Sequence, residues 1–311
     1  MQTSPGIIND TLTREYTVER LTRDKLADVA KLHSAVYGSL PDPGYFLKKY
    51  DTGYTGIAYI GYLAYNRDHI PVAYYGVIPC FIQDENATIL AAQSADTMTH
   101  PQYRFKGMFV ELSAMTFELC RQSGITLLFG FPNQNSYHGA VNKLGWQMTG
   151  AMSCFILPVK TWPLEVIASK WTFLNRLYEN YKVAVLKKYV LPLPGIANSV
   201  LQDGCAGVCR NQEYLAYKSA FSRAMVIGID NVKIWISYKR ALLIGDVEGL
   251  EQSNAERVVR KLKKIARLMG VGQLQFHCCE GTFLHEIFTA NYKAVPSYPM
   301  LFQDFGSAIL P

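Results

Sequence analysis

A chain of 311 residues and 35.0 kDa, 49% hydrophobic and 18% charged, is too long for one small core and suits two compact domains. This composition excludes disorder, and a net charge of +6 admits an anionic ligand without specifying one. The opening MQTSPGIIND lacks a charged-then-apolar leader pattern, and no stretch of about 18 residues is both apolar and uncharged, so neither secretion nor a membrane span is expected. Seven Cys without a repeated CxxC framework fit reduced thiols in a cytoplasmic chain.

The pattern predicts a helix over 22–37, with Leu26, Val29, Ala30 and Val36 on one face and Thr22 as its cap. Pro41, Pro43 and Gly44 break the chain, and a short helix follows over 45–50. Residues 54–66 and 70–83 read as a hairpin around the polar corner 66–69. Residues 87–99 read as a third strand. Residues 107–123 form an amphipathic helix with Met108, Leu112, Met115 and Leu119 on one stripe. A buried strand over 125–131, a helix over 136–144 closed by Gly145, and a strand over 146–157 complete the first half.

Residues 160–188 are helical in pattern, with Trp162, Trp171, Leu174, Leu177 and Tyr178, and end at LPLPG. A basic amphipathic helix with two Trp suits a membrane surface, but burial of its apolar face inside the molecule is the simpler expectation. The order of elements then repeats. A helix over 212–221 precedes a hairpin over 224–238 around Asp230-Asn231 and a strand over 240–247. A long amphipathic helix over 253–269, a strand over 273–277, a helix over 282–290 and a strand over 292–305 follow. Gly124 and Gly270 hold equivalent places, which points to a structural duplication.

The segment 95–108, ADTMTHPQYRFKGM, joins an apolar strand to an amphipathic helix through a basic loop. A helix entered this way presents unbonded N–H groups and a positive dipole end, which suits pyrophosphate. A basic turn that merely starts a helix gives the same pattern. HPQYRFKG between strand and helix resembles the acyl-CoA-binding motif of the GNAT superfamily of N-acyltransferases: Arg or Gln, two residues, Gly, one residue, then Gly or Ala. Arg104 to Phe109 fit except at the end, where Phe109 replaces the small residue. The element order of 22–157 also resembles a GNAT domain, and the second half resembles another. The implied class is α/β (α+β): two GNAT-like units, each a mixed, mostly antiparallel sheet flanked by helices. The implied division is 1–158 for the acyl-CoA-binding domain, 159–210 for a helical linker and 211–311 for a degenerate second domain.

The resemblance implies roles. Met98 and Thr99 match the strand positions that pair with the pantetheine arm. The amides of Phe105, Lys106, Gly107, Met108 and Phe109 would hold the pyrophosphate, with Arg104 and Lys106 adding charge. Asn133 and Asn135 match a second pantetheine contact, although Asn135 serves equally as a helix cap. A backbone N–H near Met98 is the candidate oxyanion donor. Asp96 is the candidate base by its place on the strand, with His100 as runner-up, and a purely structural hydrogen bond from Asp96 stands beside that reading. The usual acid, a Tyr four residues before Gly145, is Val141 here. Tyr137 and His138 are the substitutes, Tyr137 the better placed.

The second half carries Asp246, Glu248 and Glu251 where the loop should be, which would repel a pyrophosphate. The basic residues of 253–269 read as a solvated face rather than a nucleic-acid site, and the His277-Cys278-Cys279 run as structural rather than metal-binding, because adjacent strand side chains point apart. The expected function is an acyl-CoA-dependent N-acyltransferase, with acetyl-CoA or another acyl-CoA as co-substrate and a primary amine on a small or sugar-like molecule as acceptor. A Fem-like aminoacyl transferase and a non-catalytic CoA-binding protein are the alternatives.

Overall fold

The computed structural model describes residues 15–42, 44–192 and 195–309. Pro43 and part of the LPLPG break lie outside them. The first half runs β1 (Tyr16–Arg20), α1 (Leu26–Tyr37), α2 (Tyr45–Tyr50), β2 (Ile60–Asn66), β3 (Pro71–Gln83), β4 (Thr88–Thr99), α3 (Met108–Gln122), β5 (Leu127–Gly130), α4 (Gln134–Leu144) and β6 (Gln147–Pro158). Then come α5 (Leu164–Ala168), α6 (Thr172–Lys187) and the two-residue β7 (Gly207–Val208). The second half runs α7 (Gln212–Phe221), β8 (Met225–Ile229), β9 (Val232–Tyr238), β10 (Leu242–Glu248), α8 (Gln252–Leu268), β11 (Gln273–Cys279), α9 (Phe283–Thr289) and β12 (Ala294–Asp304).

All strands join one sheet in the order β1-β2-β3-β4-β5-β12-β6-β11-β10-β9-β8, with β7 on the edge of β3. Pairing is antiparallel except at β4/β5 and β10/β11. The two halves exchange strands. β5 pairs with β12 from the far end of the chain, and β11 pairs with β6 from the first half. β6 and β12 pair with each other at the centre. The expected alternation of mixed, mostly antiparallel units holds, but the units are closed by each other's last strand.

Residues 71–80 of β3 are all buried because helices cover both faces of the sheet there. Met108, Leu112 and Phe117 of α3 pack with Val72, Ala92 and Leu128 on one face. Leu26, Val29, Phe46 and Tyr50 of α1 and α2 pack with Leu63, Tyr74 and Met98 on the other. Each such fully buried apolar side chain contributes about 1.5–3 kcal/mol. The second half buries its own cluster under α8, with Val258, Leu262 and Ile265 against Leu242, Ile244 and Phe276.

Several expected details differ. Thr22 does not cap α1; it opens a 3-10 turn over Arg23–Lys25, and its hydroxyl goes to the Asp24 side chain instead. The strand expected over 54–66 begins only at Ile60, since Gly53–Thr55 is a 3-10 turn. The linker helix is two helices, α5 and α6. Its apolar face is not buried as a whole. Tyr178, Lys182 and Leu186, spaced four apart, turn inward, while Phe173 and Leu177 on the opposite side stay exposed. Among the described residues no helix is long and apolar enough to cross a membrane.

Candidate active site

β4 is bulged where the first half concentrates its polar groups. Ala95 faces Gly76 and Met98 faces Tyr74, so β4 holds one residue more than β3 in that span. Asp96 sits in the bulge at φ 54°. The bulge turns Ala95 and Asp96 to the same face, toward α2. Lys49 Nζ donates to Asp96 Oδ2 at 2.5 Å, and the buried Tyr50 hydroxyl donates to the same oxygen at 2.9 Å. No hydrogen bond from the described residues reaches Oδ1. Asp96 and Lys49 keep 22% and 13% of their side-chain surface, so the pair is reachable from solvent. Burial, then the charge of Asp96, holds the Tyr50 hydroxyl far above its usual range. Burial and then Asp96 also raise Tyr37, at the end of α1, which places that ring within the field of the same carboxylate. Lys49, Tyr50 and Tyr37 carried no signal in the sequence: α2 was legible as a helix, but its partner is set by the bulge.

β4 and β5 pair in parallel only over Ala91–Gln93 and Leu127–Phe129. β5 ends at Gly130 while β4 runs on to Thr99, so the two strands part and leave a gap. Met98 is 2% exposed and its side chain lies in the core with Tyr74, so it cannot line the gap. The His100 N–H donates to Val72 O at 2.8 Å. By the alternation of an antiparallel ladder, the peptide groups of Met98 then face β3, and those of Thr99 face the gap. Of the backbone N–H groups near Met98, that of Thr99 is therefore the one that faces the gap. The His100 ring does not approach Asp96. Its Nδ1 accepts from Gln102 N at 3.4 Å, and the ring lies against Tyr103 at 5.9 Å, where it shapes the loop.

The loop then exposes Arg104, Phe105, Lys106 and Gly107. Phe105 has φ 66° and Gly107 has φ 81°. Lys106 Nζ pairs with Glu15 at 2.6 Å and lies 5.3 Å from the Tyr103 ring. Nothing lies within 4 Å of a Cβ built on Gly107, so no neighbouring protein atom demands a glycine there, whereas its left-handed backbone favours one. No side chain caps α3. Its first N–H groups, which have no carbonyl of their own helix to bond, therefore face outward beside the gap.

α4 begins at Gln134, and its cap is Asn133 rather than Asn135. Asn133 Oδ1 accepts from Asn135 N at 3.0 Å and Ser136 N at 3.1 Å. Tyr137 and His138 are exposed on α4, and Val141 packs partly buried against α3. Phe109, the departure from the motif, does not block the loop. It folds onto Tyr75 at 6.2 Å and fills the space that Gly139 leaves open, where a Cβ would stand 2.8 Å from the ring.

The sequence profile of the acetyltransferase (GNAT) domain matches residues 17–149. Residues 17–149 therefore form a GNAT acetyltransferase domain. Curated proteins give no match. Among solved structures, the chain is similar to a GCN5-related N-acetyltransferase from Kribbella flavida, at 10% identity and TM-score 0.61 over 93% of this chain and 71% of that one. A GCN5-related N-acetyltransferase from Anabaena variabilis aligns at 12% identity and TM-score 0.57, over 94% of this chain and 73% of that one. One from Sphaerobacter thermophilus aligns at 13% identity and TM-score 0.53, over 96% and 98%. These likenesses establish a GNAT-like fold for nearly the whole chain, second half included.

The second half repeats this strand-to-helix geometry and fills it with its own side chains. β10 is bulged at Gly245 as β4 is at Asp96, and Gly249 has φ 81° as Gly107 does. The acids do not form the open repulsive cluster that their sequence suggests. Asp246 is buried against Arg210 and accepts from Ser199 N at 3.0 Å, while Glu248 accepts from Lys233 and from Ala197 N at 2.8 Å. Glu251 caps α8 itself, in a reciprocal box with Asn254. Among the described residues no cluster of His, Cys, Asp and Glu could hold a metal ion.

Proposed function

We propose that the protein is an acyl-CoA-dependent N-acyltransferase, and that the uncapped N-terminus of α3 beside the β4/β5 gap is the observation that carries this reading. The α3 amides and Arg104 would receive the pyrophosphate, with Lys106 beside them, and Thr99 and the Asn133–Asn135 turn would flank the pantetheine arm. The amine acceptor would approach from the α1/α2 side, where Asp96, Lys49 and Tyr37 meet. Its nitrogen attacks the thioester carbonyl, the C–N bond forms, and Asp96 Oδ1 takes the amine proton. Lys49 and Tyr50 on Oδ2 hold the carboxylate so that Oδ1 points to solvent. The Thr99 N–H stabilises the oxyanion, the C–S bond breaks, and the thiol, with an ordinary pKa of about 8.5, leaves as thiolate or takes a proton from Tyr137.

The acyl group is acetyl in this reading, the acceptor a primary amine on a small or sugar-like molecule, and the compartment the cytoplasm. Residues 1–158 form the catalytic unit, 159–210 the linker and 211–311 a second unit without a donor site. Incubation with labelled acetyl-CoA and a panel of amines tests this. Label transfer together with one CoA bound per chain supports it. CoA binding without transfer to any amine leaves a CoA-binding protein, and no CoA binding removes the reading.

A further inference from the structure

We propose that the outer side of α5 and α6 docks on an anionic lipid surface. α6 buries the stripe Tyr178, Lys182 and Leu186, anchored by Tyr178 OH to Met269 O at 2.8 Å. The opposite side carries Phe173 at 70% exposure and Leu177 at 49%, one turn apart, and the approach to the helix exposes Trp162 at 80% and Trp171 at 60%. Single exposed apolar residues are ordinary, but four large ones grouped on one short segment are not.

The charges around this apolar centre have one sign. Arg176, Lys187 and Lys188 share the outward side of α6, and Lys170 precedes it; none is ion-paired among the described residues. Glu179, the acid of α6, turns inward to Lys182 and Arg223, and Glu165 on α5 is half-buried. Apolar and aromatic side chains flanked by unpaired cations are the composition of a helix lying in a lipid interface, with Trp at headgroup depth. A second copy fits less well. A two-fold interface would set this patch against itself, cations facing cations. Four of the five cations beside the patch, Lys160 included, are Lys, which protein interfaces disfavour. A nucleic acid would stack on Trp162, Trp171 and Phe173 but would leave the exposed aliphatics Val166, Ile167 and Leu177 uncovered, whereas a lipid interface takes both.

The test is co-sedimentation of the whole protein with vesicles of phosphatidylcholine, with and without phosphatidylglycerol. Binding is expected with phosphatidylglycerol, little without it, and less at high salt. Phe173→Ser with Leu177→Ser should lower partitioning on the order of tenfold, and Arg176→Glu with Lys187→Glu by a similar factor. Both double variants should melt and bind CoA like the parent, since all four side chains are exposed. Absence of binding to either vesicle overturns the proposal, as does binding that neither double variant weakens. A dimer in ultracentrifugation that Phe173→Ser disperses, or an RNA complex formed without any vesicle binding, assigns the face to another partner and also overturns it.

Discussion

The two strand-to-helix junctions of this molecule start from the same design and end differently. β4 and β10 each carry a bulge, an Asp paired with a cation, and a parallel neighbour held over three residue pairs. Each junction has a glycine at φ 81°. In the first, residues 100–107 form a long basic loop and α3 starts without a cap. In the second, residues 249–251 lead directly into α8, and the Glu251 carboxylate occupies the helix pole. The two helix starts thus differ in that α8 is supplied with an anion by its own chain, whereas the pole of α3 is left open. The Asp pairs differ in kind as well: Asp246 is 3% exposed, while Asp96 stays reachable.

The largest expected effect separates those two carboxylates. Asp246→Asn leaves Arg210 buried without its counter-ion and should cost about 3–5 kcal/mol of stability, read as a lowered Tm with unchanged CoA stoichiometry. A variant of normal stability would make the two pairs alike. Gly107→Asp should weaken CoA binding by about a hundredfold, because it sets a carboxylate beside the pole of α3 as Glu251 does at α8. Asp tolerates the left-handed backbone, and Gly107→Asn reports the backbone strain alone. Equal affinities for the Asp and Asn variants in calorimetry would remove the charge argument. Asp96→Asn should lower turnover on the order of a hundredfold while CoA affinity holds. Full activity of that variant across the pH range would reduce Asp96 to a tie between β4 and α2.

Smaller effects sharpen the picture. Glu251→Ala should cost about 1 kcal/mol and should not create a second CoA site, because the loop before α8 is too short to wrap a pyrophosphate. Two CoA per chain in that variant would show that the cap alone closes the second half. Lys218 of α7 lies between the halves over the Tyr214, Tyr217 and Phe221 rings. Burial pushes its ammonium down to about 8. The unfolded chain therefore holds a proton that the folded one sheds between about pH 8 and 10.4, so folding is penalised at neutral pH and relieved across that window. Lys218→Met should raise stability at pH 7 by about 1 kcal/mol, the gain being moderated by lost ring contacts, and the gain should vanish near pH 10.4. An equal gain at both pH values contradicts the cause given.

Much of the fold was legible because its signals are local. The stripe of α3, the turn at Asn66–His69 and the closing Gly145 all depend on residues within one element. β1 was missed because five residues, YTVER, carry too little pattern. The bulge, the Lys49–Asp96 pair and the exchange of β6 with β12 depend on residues far apart in sequence, which no window contains. Phe109 shows the same limit: the residue that departs from the motif is accommodated by Gly139 on another helix. Thr22 and Asn135 show that a capping residue type does not by itself locate the cap.

The place of β12 bears on the order in which the protein can be made. β5 and β6 leave the ribosome long before residues 294–304, yet β12 is the strand that joins them. During synthesis the first half therefore waits with one edge of β5 and both edges of β6 unpaired, the state in which chains most readily associate with one another. Chains stalled on the ribosome before residue 294 should be cleaved by protease within 147–158, and protection there at that stage would show the first half completing itself alone.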